Sequence, residues 1–116
     1  MRRGKIRKFG KVKRLRESLM RSLATALIDN GKIKTTSAKA KVLSSHVSHL
    51  VTIAKKEDLA SRRELLLYVG TKASQKLVKE IMPTMKDRKG GYVRITRLGQ
   101  RRSDAAPMAL VEFTSR

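Results

Sequence analysis

Apolar residues return at helical spacing through most of this chain and at every second position only in short pieces. The pattern therefore predicts several helices and a few strands. Leu15, Leu19, Leu23 and Leu27 recur every four residues, with Met20, Ala24 and Ile28 beside them, and Asn30-Gly31 follows as a left-handed stop. This is a first helix whose leucine stripe reads as core. Lys32-Ile33-Lys34-Thr35-Thr36 alternates and predicts a short edge strand. Thr36 or Ser37 then caps a second helix with the buried face Ala40, Leu43, Val47, Leu50, Val51 and Ala54. Asp58 is placed to cap a third helix over Leu59–Val69, where Leu65, Leu66, Leu67 and Val69 are too densely apolar to define one face. Gly70-Thr71 breaks that helix. A fourth, opened by Thr71 or Ser74, carries the stripe Ala73, Leu77, Val78, Ile81, Met82 and Met85, and Pro83 with Lys86-Asp87-Arg88-Lys89 ends it.

The two most convincing strands lie near the C-terminus. In Tyr92–Leu98, Val93 and Ile95 point one way and Arg94 and Thr96 the other; in Met108–Phe113, Ala109, Val111 and Phe113 share one face while Glu112 stays wet. The connection is too long for a two-residue turn, so a hairpin with a protruding basic loop is expected. Its apolar face needs a cover, because two strands alone are marginally stable. Helices from elsewhere in the chain must supply it. The fold expected is α+β in two layers, ordered helix, strand, three helices and two strands, with a small mixed sheet covered by helices. One domain spans residues 13–116, preceded by an extended arm at 1–12.

Charge changes the picture from a fold to a partner. Lys and Arg number 29 against nine acidic residues in 116, a formal charge of +20. Such an excess repels itself and is most comfortable against a polyanion. Residues 1–16 carry nine cations and no acid: Arg2, Arg3, Lys5, Arg7, Lys8, Lys11, Lys13, Arg14 and Arg16. Nothing there nucleates a core, so an arm that orders on nucleic acid is expected. The second cationic set lies on the hairpin, at Arg94, Arg97, Arg101 and Arg102. Arg88, Lys89, Gly90 and Gly91 lead into it; glycine lets a backbone approach a phosphate, and the arginine fork suits phosphate oxygens. Thr35 and Thr36 offer hydroxyls beside Lys34, Lys39 and Lys41, although capping alone explains one of them.

Enzyme chemistry finds no support in the residues. The nine acids are scattered, no phosphate-binding loop or nucleophile elbow occurs, and the cysteine count is zero. His46 and His49 stand one helical turn apart without a third metal ligand to join them, so packing or a surface role is expected and no metal or other cofactor is implied. No apolar run approaches the length of a membrane span. Standard DNA-reading motifs are absent, and the aromatics Phe9, Tyr68, Tyr92 and Phe113 do not form a base-stacking sheet. Many cations with few rings suit backbone and shape recognition, which structured RNA offers best. The rival readings are a DNA-compacting protein, an RNA-processing enzyme and a transient assembly factor.

Four runs, in order, bear a resemblance: Ile33-Lys34-Thr35-Thr36-Ser37-Ala38-Lys39-Ala40-Lys41, Leu50-Val51-Thr52-Ile53-Ala54-Lys55, Gly90-Gly91-Tyr92-Val93-Arg94-Ile95 and Asp104-Ala105-Ala106-Pro107-Met108-Ala109. Together they resemble the bacterial large-subunit ribosomal protein L17 family, over essentially the whole chain. The resemblance implies a noncatalytic scaffold bound to large-subunit ribosomal RNA near the outer side of the polypeptide exit tunnel. It also implies neighbouring large-subunit proteins as partners and one copy per subunit without homo-oligomers, in a cytoplasmic or organellar ribosome. RNA contacts would fall on the arm, on Lys34–Lys41 and on the hairpin from Arg94 to Arg102. The departures are local. Arg3 stands where the family usually has histidine, Lys13-Arg14-Leu15-Arg16 replaces a Ser-x-His-Arg-like approach, and Ser44, Ser45 and Ser48 stand where charged residues are common.

Overall fold

The structure, a computed structural model, describes residues 12–114. Helix α1 (Lys13–Asn30) runs into strand β1 (Lys32–Thr36), followed by α2 (Ser37–Lys55) and α3 (Leu59–Lys76). A π-helical turn at Leu77–Ile81 joins α3 to the short α4 (Met82–Met85); strands β2 (Val93–Gln100) and β3 (Pro107–Phe113) complete the chain. The expected α+β order and two-layer arrangement are present. The sheet has the order β1-β3-β2 and is antiparallel throughout, rather than mixed. Both β1 and β2 run against the central β3, so the only parallel relation is between the two edges, which do not touch.

Local chemistry sets the element ends. Gly31 closes α1 at φ 83°, a left-handed angle that its missing Cβ permits, and its N–H donates to Leu27 O at 2.8 Å. Thr36 caps α2, accepting from Lys39 N, and Asp58 caps α3, accepting from Ser61 N at 2.7 Å. The amphipathic face of α2 then supplies the centre of the core: Ala40, Leu43, Val47, Leu50, Val51 and Ala54 are all buried, joined by Ile53. They meet Ala109 and Val111 of β3 on one side and Leu27, Ile28, Leu65 and Leu77 of the other helices on the other.

The α1 stripe differs from expectation. Leu15 is 50% exposed, Leu19 and Leu23 are half-buried, and the buried row is Met20, Ala24, Leu27 and Ile28. A step of four residues overshoots a 3.6-residue turn by about 40°, so leucines spaced by four wind away from a straight core. Leu15 lies three steps from Leu27 and has left it. Along α3, Leu65 and Val69 face inward while Leu66 and Leu67 face out. Pro83 does not end the last helix. It sits in the first turn of α4, directly after the π turn, where a missing N–H is tolerated.

The expected break at Gly70 is present, at φ 84° and ψ 177°. Helix α1 holds both sides of it. Arg21 Nη1 donates to Leu67 O at 3.0 Å, and Thr25 Oγ1, one turn later on the same face, donates to Val69 O at 3.4 Å. In return Lys76 Nζ donates to Asp29 O at 2.7 Å, placing a cation at the negative end of the α1 dipole.

His46 and His49 both pack edge-to-face with Tyr68, at centroid distances of 5.8 and 5.9 Å. Packing is thus their observed role. Burial, with His49 nearby as a second cause, holds the His46 pKa below its ordinary 6.5. Below pH 6.5 the unfolded chain therefore takes up a proton at this site more readily than the native state. Stability is complete above that pH and declines as pH falls toward the lowered native value. Thermal midpoints followed from pH 7.5 to 5 should decline less in His46→Leu than in the parent.

Candidate RNA interface

Directly paired residues of an antiparallel sheet share a face, so the register sorts the hairpin cations. Ile33, Ala109, Val111 and Ile95 align on the side covered by α2, whereas Lys32, Lys34, Leu110, Glu112, Arg94 and Thr96 align on the outer side. Arg94 and Arg97 are on opposite faces. Arg97 pairs with Ala109 on the helix side and remains exposed because cover thins toward the hairpin tip. Three residues is an odd step, and the strand period of two separates them. Ile95 shares that thin cover and is 39% exposed, against the expectation of burial.

Beyond Arg97 the register slips at Leu98, so that Gly99 faces Met108. Gly99 has φ 91°. The strands continue to Gln100 and from Pro107, leaving Arg101–Ala106 as the protruding loop. It is internally braced. Arg101 N donates to Ala106 O and Ala105 N to Arg101 O, both at 2.9 Å. Arg101 Nε and Nη2 donate to the two carboxylate oxygens of Asp104, each at 2.9 Å. The Arg101 fork, with the Ala106 N–H as a further donor, holds the Asp104 pKa down to about 2. The pair thus stays ionised at any pH where the protein works. Arg102, next to this fork, is exposed.

Two groups of predicted residues emerge, at opposite ends of the sheet. At the hairpin tip lie Arg97, Arg101 and Arg102 with Lys34, Thr35, Thr36 and the start of α2, because Thr36 pairs with Met108 and Met108 with Gly99. Lys34 and Lys41 are exposed; Thr35, Thr36 and Lys39 are half-buried. Lys13 and Arg16 border a groove of about 820 Å³ with Val42, Ser45 and His46, so the start of α1 lies beside the first half of α2. At the other end, roughly 23 Å away along an eight-residue strand, lie Arg88, Lys89, Gly90 and Gly91. Their backbone is pinned. Lys55 Nζ donates to Arg88 O and, at 2.7 Å, to the Tyr92 hydroxyl, and Thr114 Oγ1 donates to Gly91 O at 2.7 Å. Gly91, at φ 62°, is explained by this turn. Arg2, Arg3, Lys5, Arg7, Lys8 and Lys11 lie outside the described residues.

Two features of the cations themselves point to an anionic partner. Lys13 and Arg14 occupy the first turn of α1, at the positive end of its dipole, with no acid there and no side-chain cap. Helix α2 also opens without an acid and carries Lys39 in its first turn. Cations at helix N-termini are unfavourable unless negative charge arrives from outside. Arg94 is partly committed, with Nε 3.3 Å from Glu112 Oε2 across the strands, although an exposed pair of this kind contributes little. Lys32, exposed on the same outer face as Lys34, completes this set and was missed. Strict alternation through Lys32-Ile33-Lys34 carried the signal. Among the described residues no helix is long and apolar enough to cross a membrane.

Comparison with known proteins points to one family. The family model described as ribosomal protein L17 matches residues 19–114. The large ribosomal subunit protein bL17 of Persephonella marina is 52% identical over 112 residues, covering 94% of this chain and 90% of that protein. The bL17 of Halalkalibacterium halodurans is 43% identical over 115 residues, covering 91% of this chain and 96% of its own length. That of Symbiobacterium thermophilum is 43% identical over 110 residues, with coverages of 94% and 97%. With a family model spanning most of its length and relatives matched nearly end to end, this chain belongs to the ribosomal protein L17 family.

Proposed function

We propose that this protein braces large-subunit ribosomal RNA near the outer side of the polypeptide exit tunnel, by contacts to the phosphate backbone. The family is one of ribosomal proteins, so the chain is a structural component and not an enzyme. The observation that carries the RNA reading is the gathering of exposed cations at one end of the fold, around helix N-termini that lack acids. Lys34, Lys41, Arg97 and Arg102 present charge from three elements, and Lys13 adds charge at the start of α1. RNA segments that repel one another would be held together by the counterions this surface displaces. Arg88 and Lys89, at the far end of the sheet, offer a second and separate point of attachment. Neighbouring large-subunit proteins complete the setting, with one copy of this chain in each subunit.

Salt dependence tests this directly. If about ten cations each meet one phosphate, the logarithm of affinity for purified large-subunit rRNA should fall with log salt at a slope of roughly −7 to −9. Filter binding across 50–400 mM KCl would measure it. Arg102→Ala should make the slope shallower by about one unit or slightly less. A slope near zero for the parent would remove phosphate contact from the mechanism.

A further inference from the structure

The register slip at Leu98 opens a pocket of about 430 Å³ at the base of the hairpin loop, lined by Lys34, Leu98, Gly99, Gln100, Arg101 and Met108. Its volume falls within the range of small-ligand sites. Leu98 is 47% exposed and, among the described residues, stands uncovered beside this pocket. The Arg101 guanidinium is already spoken for in two hydrogen bonds, so it is poorly placed to fork onto a phosphate. The same two bonds hold its plane still, and the Asp104 carboxylate that anchors it remains ionised. A flat, fixed cation beside two apolar side chains is a stacking platform, since unstacked RNA bases stack on arginine planes as they do on aromatic rings.

We propose that this pocket receives one unstacked base of the bound RNA, stacked on the Arg101 guanidinium, against Leu98 and Met108. The inference rests on the RNA-binding reading and adds to it a contact to a base where the rest of the surface meets phosphates. Charge selects the occupant: Lys34, exposed on the rim, meets the phosphate of the same nucleotide, and an apolar peptide would gain nothing from it. Gln100 supplies both a donor and an acceptor to the edge of the base. Gly99, at φ 91°, supplies the left-handed backbone of the slip that lines the pocket.

Charge-preserving variants separate this contact from phosphate binding. The full-length chain, Arg101→Lys and Leu98→Ala would be titrated with purified large-subunit rRNA across the same salt series, with thermal midpoints as a folding control. Both variants should bind roughly five- to tenfold more weakly at an unchanged salt slope, the loss expected for one stacked base. Asp104→Asn raises the net positive charge and should nevertheless weaken binding, because it frees the guanidinium. Parent-like affinity in Arg101→Lys and Leu98→Ala, or tighter binding by Asp104→Asn, would overturn the base pocket and leave phosphate bracing intact. Failure of the parent itself to bind the RNA would overturn both.

Discussion

Deletion of residues 1–12 is expected to weaken binding to large-subunit rRNA by at least about a hundredfold at 0.15 M salt, with almost no change in the thermal unfolding midpoint. The deletion removes Arg2, Arg3, Lys5, Arg7, Lys8 and Lys11 and no acid. Six lost phosphate contacts should make the salt slope shallower by roughly 4 to 5, and the loss of affinity at moderate salt follows from that slope. Stability is spared because, among the described residues, the buried core begins at Met20 and draws on α1, α2, α3, the π turn, α4 and the sheet. Removing cations also relieves self-repulsion in the free protein. Parallel titrations and melting curves of the two proteins provide the test. Equal affinity would take the arm out of the mechanism, and a large fall in midpoint would give it a structural role instead.

Gly70→Ala should have the largest effect on folding while leaving the charge of the chain unchanged. At φ 84° and ψ 177° the backbone lies in a region open essentially to glycine alone. The added Cβ finds Arg21 Nη2 at 3.5 Å, an ordinary contact, so space is not the obstacle. The cost is conformational. Relief of the strain would straighten the helix and pull Leu67 O and Val69 O away from Arg21 and Thr25, which tie α3 to α1. A penalty of about 2 kcal/mol follows, or a midpoint lower by roughly 8 °C for a domain of this size. Calorimetry would measure it. RNA affinity of the folded fraction should be preserved, since the interface uses α1 through its N-terminal turn. An unchanged midpoint would mean that the break can be straightened at little cost.

The parts of this fold that were legible in the sequence are those governed by local period and local caps. The α2 stripe from Ala40 to Ala54, the Gly31 stop, the Thr36 and Asp58 caps and the Gly70 break each depend on a few neighbouring residues. Where drift accumulates, the reading fails: four-residue spacing looked like one face until Leu15 had rotated out of it. The π turn that accommodates Pro83 and the bulge at Leu98 each change the register by about one residue, and no residue type announces them. Exposure of Ile95 reflects how far α2 reaches across the sheet, a property of two elements distant in sequence.

The candidate interface shows the same division. That cations would dominate was plain from composition, and Lys34 and Arg102 stand exposed as a phosphate-binding surface requires. What each arginine is free to do was not. Arg101 is engaged by Asp104 three residues on, Arg94 by Glu112 across a strand pair, and Arg97 faces away from Arg94. Lys55 is a further case, turned inward to hold Tyr92 and the Arg88 carbonyl rather than to meet RNA. The Arg101 pair depends on how the loop folds, and the others on strand register and on contacts 33 and 37 residues apart, which spacing alone does not encode.

Sedimentation of a cell lysate through a high-salt sucrose gradient, with this protein quantified in every fraction, tests the scaffold account most directly. The expected result is one copy per mature large subunit, retained through the wash. Presence on immature particles alone, or co-migration with chromosomal DNA, would contradict it.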